Sequence, residues 1–162
     1  MEVFVLVAKK KNIILQFFST LLLVAGVVTV VLSFLGLYMF LPFAIMEVAI
    51  GYMLSKRYIE YEYSYFDGDI RFAKIINKSK RKALKGYSME DVQIIAPIED
   101  RSVQNYLNDN TVKVRDMRSG QKNAKVYAMV VREEGTQLVK FEPDEQYLNA
   151  ICIKYRQKVV TV

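Results

Sequence analysis

The chain has 162 residues, 52% of them apolar, with 23 Lys/Arg against 17 Asp/Glu, one cysteine and no histidine. That length holds one domain, or a small domain with an anchor. The lone Cys152 excludes an intramolecular disulfide framework. The absence of histidine removes the Ser-His and Cys-His nucleophile pairs and the usual zinc ligand sets.

Composition divides the chain. Residues 1–57 hold five Lys/Arg and two Glu, and residues 58–162 hold the other 18 Lys/Arg and 15 Asp/Glu. Each part is therefore +3, and the charge on the second part is too slight for a nucleic-acid binder. That part can bury a modest core by itself.

Lys9, Lys10 and Lys11 precede a run of 42 almost uninterrupted apolar residues, Ile13 to Leu54. A bilayer core takes about 20 apolar residues per helix, so the run fits two passes and a tight turn. One helix of that length is too long to be accommodated by tilt. Gly36 marks a break between residues 34 and 37, and Leu41-Pro42 is a second candidate. The expected helices are 13–34 and 38–55. Lys56 and Arg57 follow the second, so basic clusters flank both ends of the hairpin. Such clusters stay on the cytoplasmic side, which predicts a multi-pass cell-membrane protein with both termini cytoplasmic. A cleaved signal peptide fits less well, because the run far exceeds a 7–15-residue core and no A-x-A site follows.

Glu47 falls near the middle of the second helix, where a charge costs about 2.5 kcal/mol or more. Ala44 and Gly51 share its face at helical spacing. Ala25, Thr29 and Ser33 make a matching stripe on the first helix. Small residues let helices approach, and hydroxyls offer a buried acid a partner. Two readings follow: a proton or ion site at Glu47, Thr29 and Ser33, or a Glu hydrogen-bonded within the hairpin or an oligomer.

Arg57 to Gly68 (RYIEYEYSYFDG) begins with no linker. Ile59, Tyr61, Tyr63 and Tyr65 alternate with Glu60, Glu62 and Ser64, as on a half-buried strand. Asp67-Gly68 is a hairpin signal. Further strands are expected at Ile70 to Ile76, Arg81 to Ser88, Asp91 to Ile98, Thr111 to Met117, Lys125 to Arg132 and Gln137 to Glu142. The polar stretch Glu99 to Asn110 carries a short helical turn. Pro143 opens a helix, with Tyr147, Leu148, Ile151, Cys152 and Tyr155 on its apolar face. Cys152 reads as an inert core thiol. The order, about seven strands and then one helix, is that of a pleckstrin-homology-like (PH-like) barrel or sandwich. The expected class is α+β: a membrane anchor over 1–57 and an antiparallel β domain over 58–162.

Four segments carry a resemblance: Tyr58-Ile59-Glu60-Tyr61-Glu62-Tyr63, Asp67-Gly68-Asp69-Ile70, Lys80-Arg81-Lys82 and Phe141-Glu142-Pro143-Asp144-Glu145. In these the chain resembles a family of small bacterial membrane proteins with an N-terminal membrane hairpin and a PH-like cytoplasmic domain. The resemblance implies architecture and localisation and carries no catalytic residues across. Lipid-binding PH domains place basic residues around the first hairpin loop. Here that loop is Asp67-Gly68-Asp69, which argues against inositide recognition in the PH manner.

Lys74, Lys78, Lys80, Arg81, Lys82 and Lys85 form the densest charge cluster, and without them residues 58–162 are net −3. A strand of eight or nine residues rises roughly 25–30 Å. A first strand starting at the bilayer therefore carries the acidic turn away, and the second returns Asn77 to Lys82 toward it. There each basic residue contributes about 1 kcal/mol at an anionic leaflet. The expected protein is a non-enzymatic, membrane-anchored binding or scaffold module without metal or cofactor. Its partners are the bilayer, anionic lipid held weakly, and an unidentified membrane or cytoplasmic protein or further copies of itself. The alternatives are an accessory subunit of a channel or transporter using Glu47, a purely structural protein, and a carboxylate or magnesium enzyme at the membrane.

Overall fold

The computed structural model describes residues 2–160; the terminal residues to which the topology expectation refers lie outside them. The chain forms two units. One is Lys11–Tyr58, and the other joins Met1–Lys10 to Ile59–Val162. The expected division at residue 57 is corrected accordingly: the first ten residues belong with the second part.

In the helical unit, α1 spans Ile13–Phe34, the expected range. Asn12 caps it, its side-chain oxygen accepting the Ile14 N–H at 3.0 Å, which satisfies one of the free amides of the first turn. The chain turns at Gly36 (φ +111°), makes a 3-10 turn over Tyr38–Phe40, and enters α2, Leu41–Ser55. Pro42 lies in the first turn of α2, where its missing N–H costs nothing. Both expected break points are used, one to reverse the chain and one to start a helix. Each helical segment is long and apolar enough to cross a membrane by length and composition.

The second unit contains two sheets. In the first, β1 (Glu2–Ala8) pairs with β2 (Ile59–Phe66), β2 with β3 (Asp69–Ile76), and β3 with both β4 (Lys80–Ala83) and β5 (Tyr87–Ser88). In the second the order is β6 (Val92–Pro97), β8 (Tyr127–Arg132), β9 (Thr136–Phe141) and β7 (Lys113–Asp116). Helices α3 (Arg101–Leu107) and α4 (Glu145–Tyr155) complete the unit. Asp67 (φ 47°) and Gly68 (φ 95°) both have positive φ, as a type I′ hairpin turn requires.

Four expectations change. β1 is an additional strand, supplied from before the helices. The segment Arg81 to Ser88 is two strands, because the register slips by one residue between Leu84, whose N–H still donates to Phe72 O at 2.8 Å, and Tyr87, which pairs with Ile70. β7 runs parallel to β9; the two are joined through β8, since parallel neighbours cannot be joined by a tight turn, and α3 lies in the connection from β6 to β7. The two sheets share no strand, so of the expected barrel or sandwich the chain forms the open sandwich. The helix after Pro143 starts two residues later, with Asp144 as its cap accepting the Tyr147 N–H at 2.8 Å.

The sheets pack face to face. The expected alternation in β2 holds: Tyr61, Tyr63 and Tyr65 are buried, and they share one core with Phe72, Met129, Val139, Phe141, Tyr147 and Ile151. Val3, Val5 and Val7 of β1 pack against that core. Tyr63, Phe72 and Phe141 meet edge to face at centroid distances of 5.5–5.9 Å, the arrangement that ring quadrupoles favour. A second cluster, including Val103 of α3, covers the other face of the second sheet. Cys152 is half-buried rather than enclosed in the core.

Ile151 is fully buried, while Ile153, on the same helix, is 80% exposed. Ile151→Asp places an uncompensated charge in the core and should abolish cooperative thermal unfolding. Ile153→Asp should leave the midpoint within about 0.5 kcal/mol of wild type. Equal behaviour of the two would contradict the packing of α4.

Burial raises the Tyr63 and Tyr147 hydroxyls well above the ordinary value of 10.0. Tyr63 also donates to Met117 O at 2.6 Å. Above about pH 10 the unfolded chain releases these protons and the folded chain keeps them, so stability falls as pH rises. The loss reaches at most about 1.4 kcal/mol per pH unit for each tyrosine. Urea midpoints compared at pH 9 and pH 11 should show the decline.

Candidate functional site

Within the helical unit, the predicted polar residues do meet. The Thr29 hydroxyl lies 3.0 Å from Glu47 Oε2 and 3.0 Å from Ala25 O, so it donates to one of them at a time. Ser33 donates to Thr29 O at 2.8 Å, and that bond turns it back onto its own helix rather than toward the acid. Glu47 and Thr29 are half-buried, whereas Ser33 and Ala44 are buried.

The contact between the helices uses Ser33, Ala44 and Gly51 of the expected stripes and adds Ser19 and Gly26, which those stripes did not include. Ser19, Gly26 and Ser33 of α1 and Ala44 and Gly51 of α2 are the buried positions, each set repeating every seven residues, or two turns. A Cβ at Gly26 would lie 2.6 Å from Val48 Cγ2, so the approach requires glycine. Ser19 donates to Gly51 O at 2.8 Å across the pair. Extending Ser33 back by sevens along the first helix would have found Gly26 and Ser19.

In the sandwich, the ladders place the basic cluster. Ile59 pairs with Ile76, Ile76 with Lys80 and Lys74 with Lys82. The β3–β4 turn thus occupies the end of the first sheet where β1 finishes and β2 starts. Asn77 and Lys78 both have positive φ in that turn. Lys78, Lys80, Arg81 and Lys82 are exposed, and Lys74 is half-buried. Lys85 stands apart, in the β4–β5 connection, where it pairs with Glu133, and this pairing raises its pKa. Arg81 pairs with Glu62. Arg81 and Lys85 are therefore offset by carboxylates. The acidic turn lies at the opposite end of the sheet, where Asp67 meets Lys154 at 3.5 Å and Asp69 meets Arg71 at 3.3 Å.

Two hollows in this unit were not foreseen from the sequence. One, of about 570 Å³, lies between the end of β1 and the β7–β8 loop and is lined by Ala8, Lys9, Lys10, Gln121, Lys122 and Asn123. The other, of about 730 Å³, has Tyr127, Pro143 and Leu148 along it with Arg118, Lys125 and Glu145 among its polar residues. Asp116 holds Arg118 through bonds of 2.6 and 2.9 Å, and the guanidinium keeps that carboxyl below its usual range. Among the described residues no three His, Cys, Asp or Glu side chains cluster as metal ligands.

A family model described as "Bacterial PH-like domain (DUF6106)" matches residues 1–161, a span that takes in both units. No curated protein and no solved structure matches the chain.

Thr29→Val removes the only hydroxyl placed at Glu47 within 3.0 Å among the described hydrogen bonds. It should lower hairpin stability in detergent by about 0.6–1.7 kcal/mol. Thr20→Val, at an exposed hydroxyl that bonds only Gln16 O of its own helix, should change it little. Unfolding titrations of the two variants check this, and equal effects would separate Glu47 from Thr29.

Proposed function

The chain belongs to the bacterial PH-like domain family, and from that membership we propose that it is a membrane-anchored, non-enzymatic binding or scaffold module at the cytoplasmic face. Family membership supports the binding role at a coarse level. The observation that carries the anchoring is the surface of the helices. Only 17% and 11% of their most apolar windows are buried, and Phe17, Val24, Phe34, Met39 and Met53 are all more than half exposed. The core helix of a soluble protein buries such residues. A surface apolar on all sides needs a cover, and lipid supplies one.

The basic turn gives the module an orientation. Lys74, Lys78, Lys80 and Lys82 lie at the sheet end from which the chain departs at Lys10 and to which it returns at Ile59. Anionic lipid would meet them there, each within reach contributing about 1 kcal/mol before screening. The partner gathered by the module is a protein of the membrane or cytoplasm, or another copy. For Glu47 the Thr29 contact favours the structural reading over the channel-accessory one, because the acid already has a hydrogen-bond donor inside the hairpin.

Reporter fusions test the topology. Fusions at residues 1 and 162 should both report the cytoplasm, and one after Gly36 should report the other side. Ends on opposite sides would overturn the hairpin. A nitroxide on Ser79→Cys, with Cys152→Ser, tests the orientation. Its accessibility to a headgroup-bound quencher should be higher in anionic than in neutral nanodiscs, and added salt should erase the difference. Glu47→Gln should leave assembly unchanged, and failure to assemble would revive the accessory reading.

A further inference from the structure

The hollow at the end of β1 differs from the basic turn in its lining. It carries three lysines, two side-chain amides and no carboxylate, whereas Glu62 and Glu133 each hold one cation of the β3–β4 cluster and its neighbourhood. Its walls are tied together. Lys9 N donates to Ile59 O at 2.9 Å and Lys10 N to Ser119 O at 2.7 Å. Ser119 is buried; its N–H donates to the buried Glu142 carboxylate at 3.0 Å, and its hydroxyl accepts the Gln121 N–H at 3.0 Å. The loop that presents Gln121, Lys122 and Asn123 is thus fixed against the strand that presents Lys9 and Lys10. Lys9 also sits over the Tyr61 ring, 5.7 Å from its centroid, which keeps that ammonium near the cleft.

Such a setting suits a compact anion. Ammonium groups bind phosphate as point charges, and amide side chains can donate to its remaining oxygens. The hollow is shallow and open, which suits a group presented from outside rather than an enclosed small ligand. Only Lys11 and Asn12 separate Lys10 from the first residue of α1, so the cleft is tethered two residues from the apolar helix. We propose that this cleft seats the phosphate of one anionic lipid headgroup, a discrete site beside the diffuse attraction of the basic turn. The inference rests on the reading of residues 13–55 as a membrane anchor.

The full-length chain in nanodiscs of mixed phosphatidylcholine and phosphatidylglycerol tests it, with native mass spectrometry counting the lipids retained on release. Wild type should keep one phosphatidylglycerol in preference to phosphatidylcholine. Each lysine near an anionic surface is worth about fivefold in binding, so Lys10→Gln with Lys122→Gln, after screening, should weaken retention about tenfold. That pair leaves Lys9 on Tyr61 and so leaves the core intact. Arg101→Gln with Lys113→Gln, at exposed cations that belong neither to the cleft nor to the basic turn, should leave the retained lipid unchanged. Equal retention of the two lipids, or equal loss in the two double variants, would overturn a discrete seat. Binding of soluble glycerol phosphate by protein in pure phosphatidylcholine nanodiscs, as tight as that of the lipid, would assign the cleft to a free phosphate compound instead. Alkaline carbonate separates the two levels of the reading. A protein that resists extraction yet keeps no phosphatidylglycerol is anchored without this site, whereas a protein that is extracted overturns the anchor and the seat together.

Discussion

The fold depends on one ladder, seven residue pairs from Glu2↔Phe66 to Ala8↔Glu60. Two strands separated by the whole helical unit lie side by side, about 4.8 Å apart. The chain therefore leaves the sandwich and re-enters it at one place. Any structure formed by residues 11–58 must begin and end together, which a single spanning helix cannot do and an antiparallel pair does directly. Gly36 and Pro42 meet this requirement locally, and the ladder imposes it from outside. The two-pass reading thus has a support in the sandwich that owes nothing to hydropathy.

The same ladder explains why part of the fold was legible and part was not. The ends of α1 were readable because a long apolar run, a glycine and flanking lysines mark them within the sequence itself. β2 was readable because Tyr61, Tyr63 and Tyr65 alternate with polar residues, and Asp67-Gly68 names its turn. β1 is a run of apolar residues, VFVLVA, without alternation, and its partner lies some fifty residues further along. Nothing local distinguishes it from the start of the anchor. The register slip between Leu84 and Tyr87 and the parallel placement of β7 are likewise set by pairing partners outside the segments themselves. Topology decides them, and propensity does not.

The candidate sites show a similar split. The Glu47–Thr29 pairing follows from helical geometry and the cost of an acid in an apolar segment, both of which a sequence states. Ser33, Ala44 and Gly51 of the helix contact were legible as small residues on shared faces. Gly26 lies there in place of Ala25, because the buried positions of the first helix repeat every seven residues and not every four. For the basic cluster, sequence density overstated the charge. Lys85 lies near Arg81 in sequence, but it falls in the connection after Leu84 where the register slips, and there it pairs with Glu133, away from the turn. The cleft of Lys9, Lys10 and Lys122 joins residues more than a hundred positions apart, and only β1 returning to the sandwich brings them together.

The arrangement also bears on how the two parts depend on each other. Val3, Val5 and Val7 close one side of the core that Tyr61, Tyr63 and Tyr65 build. A chain consisting of residues 58–162 alone would expose that side and leave the β2 edge unpaired, an invitation to strand addition by another chain. The sandwich is therefore complete only when the polypeptide has passed through both helices, or when β1 is supplied by another route. In the reading proposed here, completion of the binding module and formation of the hairpin are coupled: β1 is made first, and its partner strand becomes available only after α2. A module built in this way cannot finish folding ahead of its anchor. Its surface then becomes fully formed only beside the membrane it is proposed to serve.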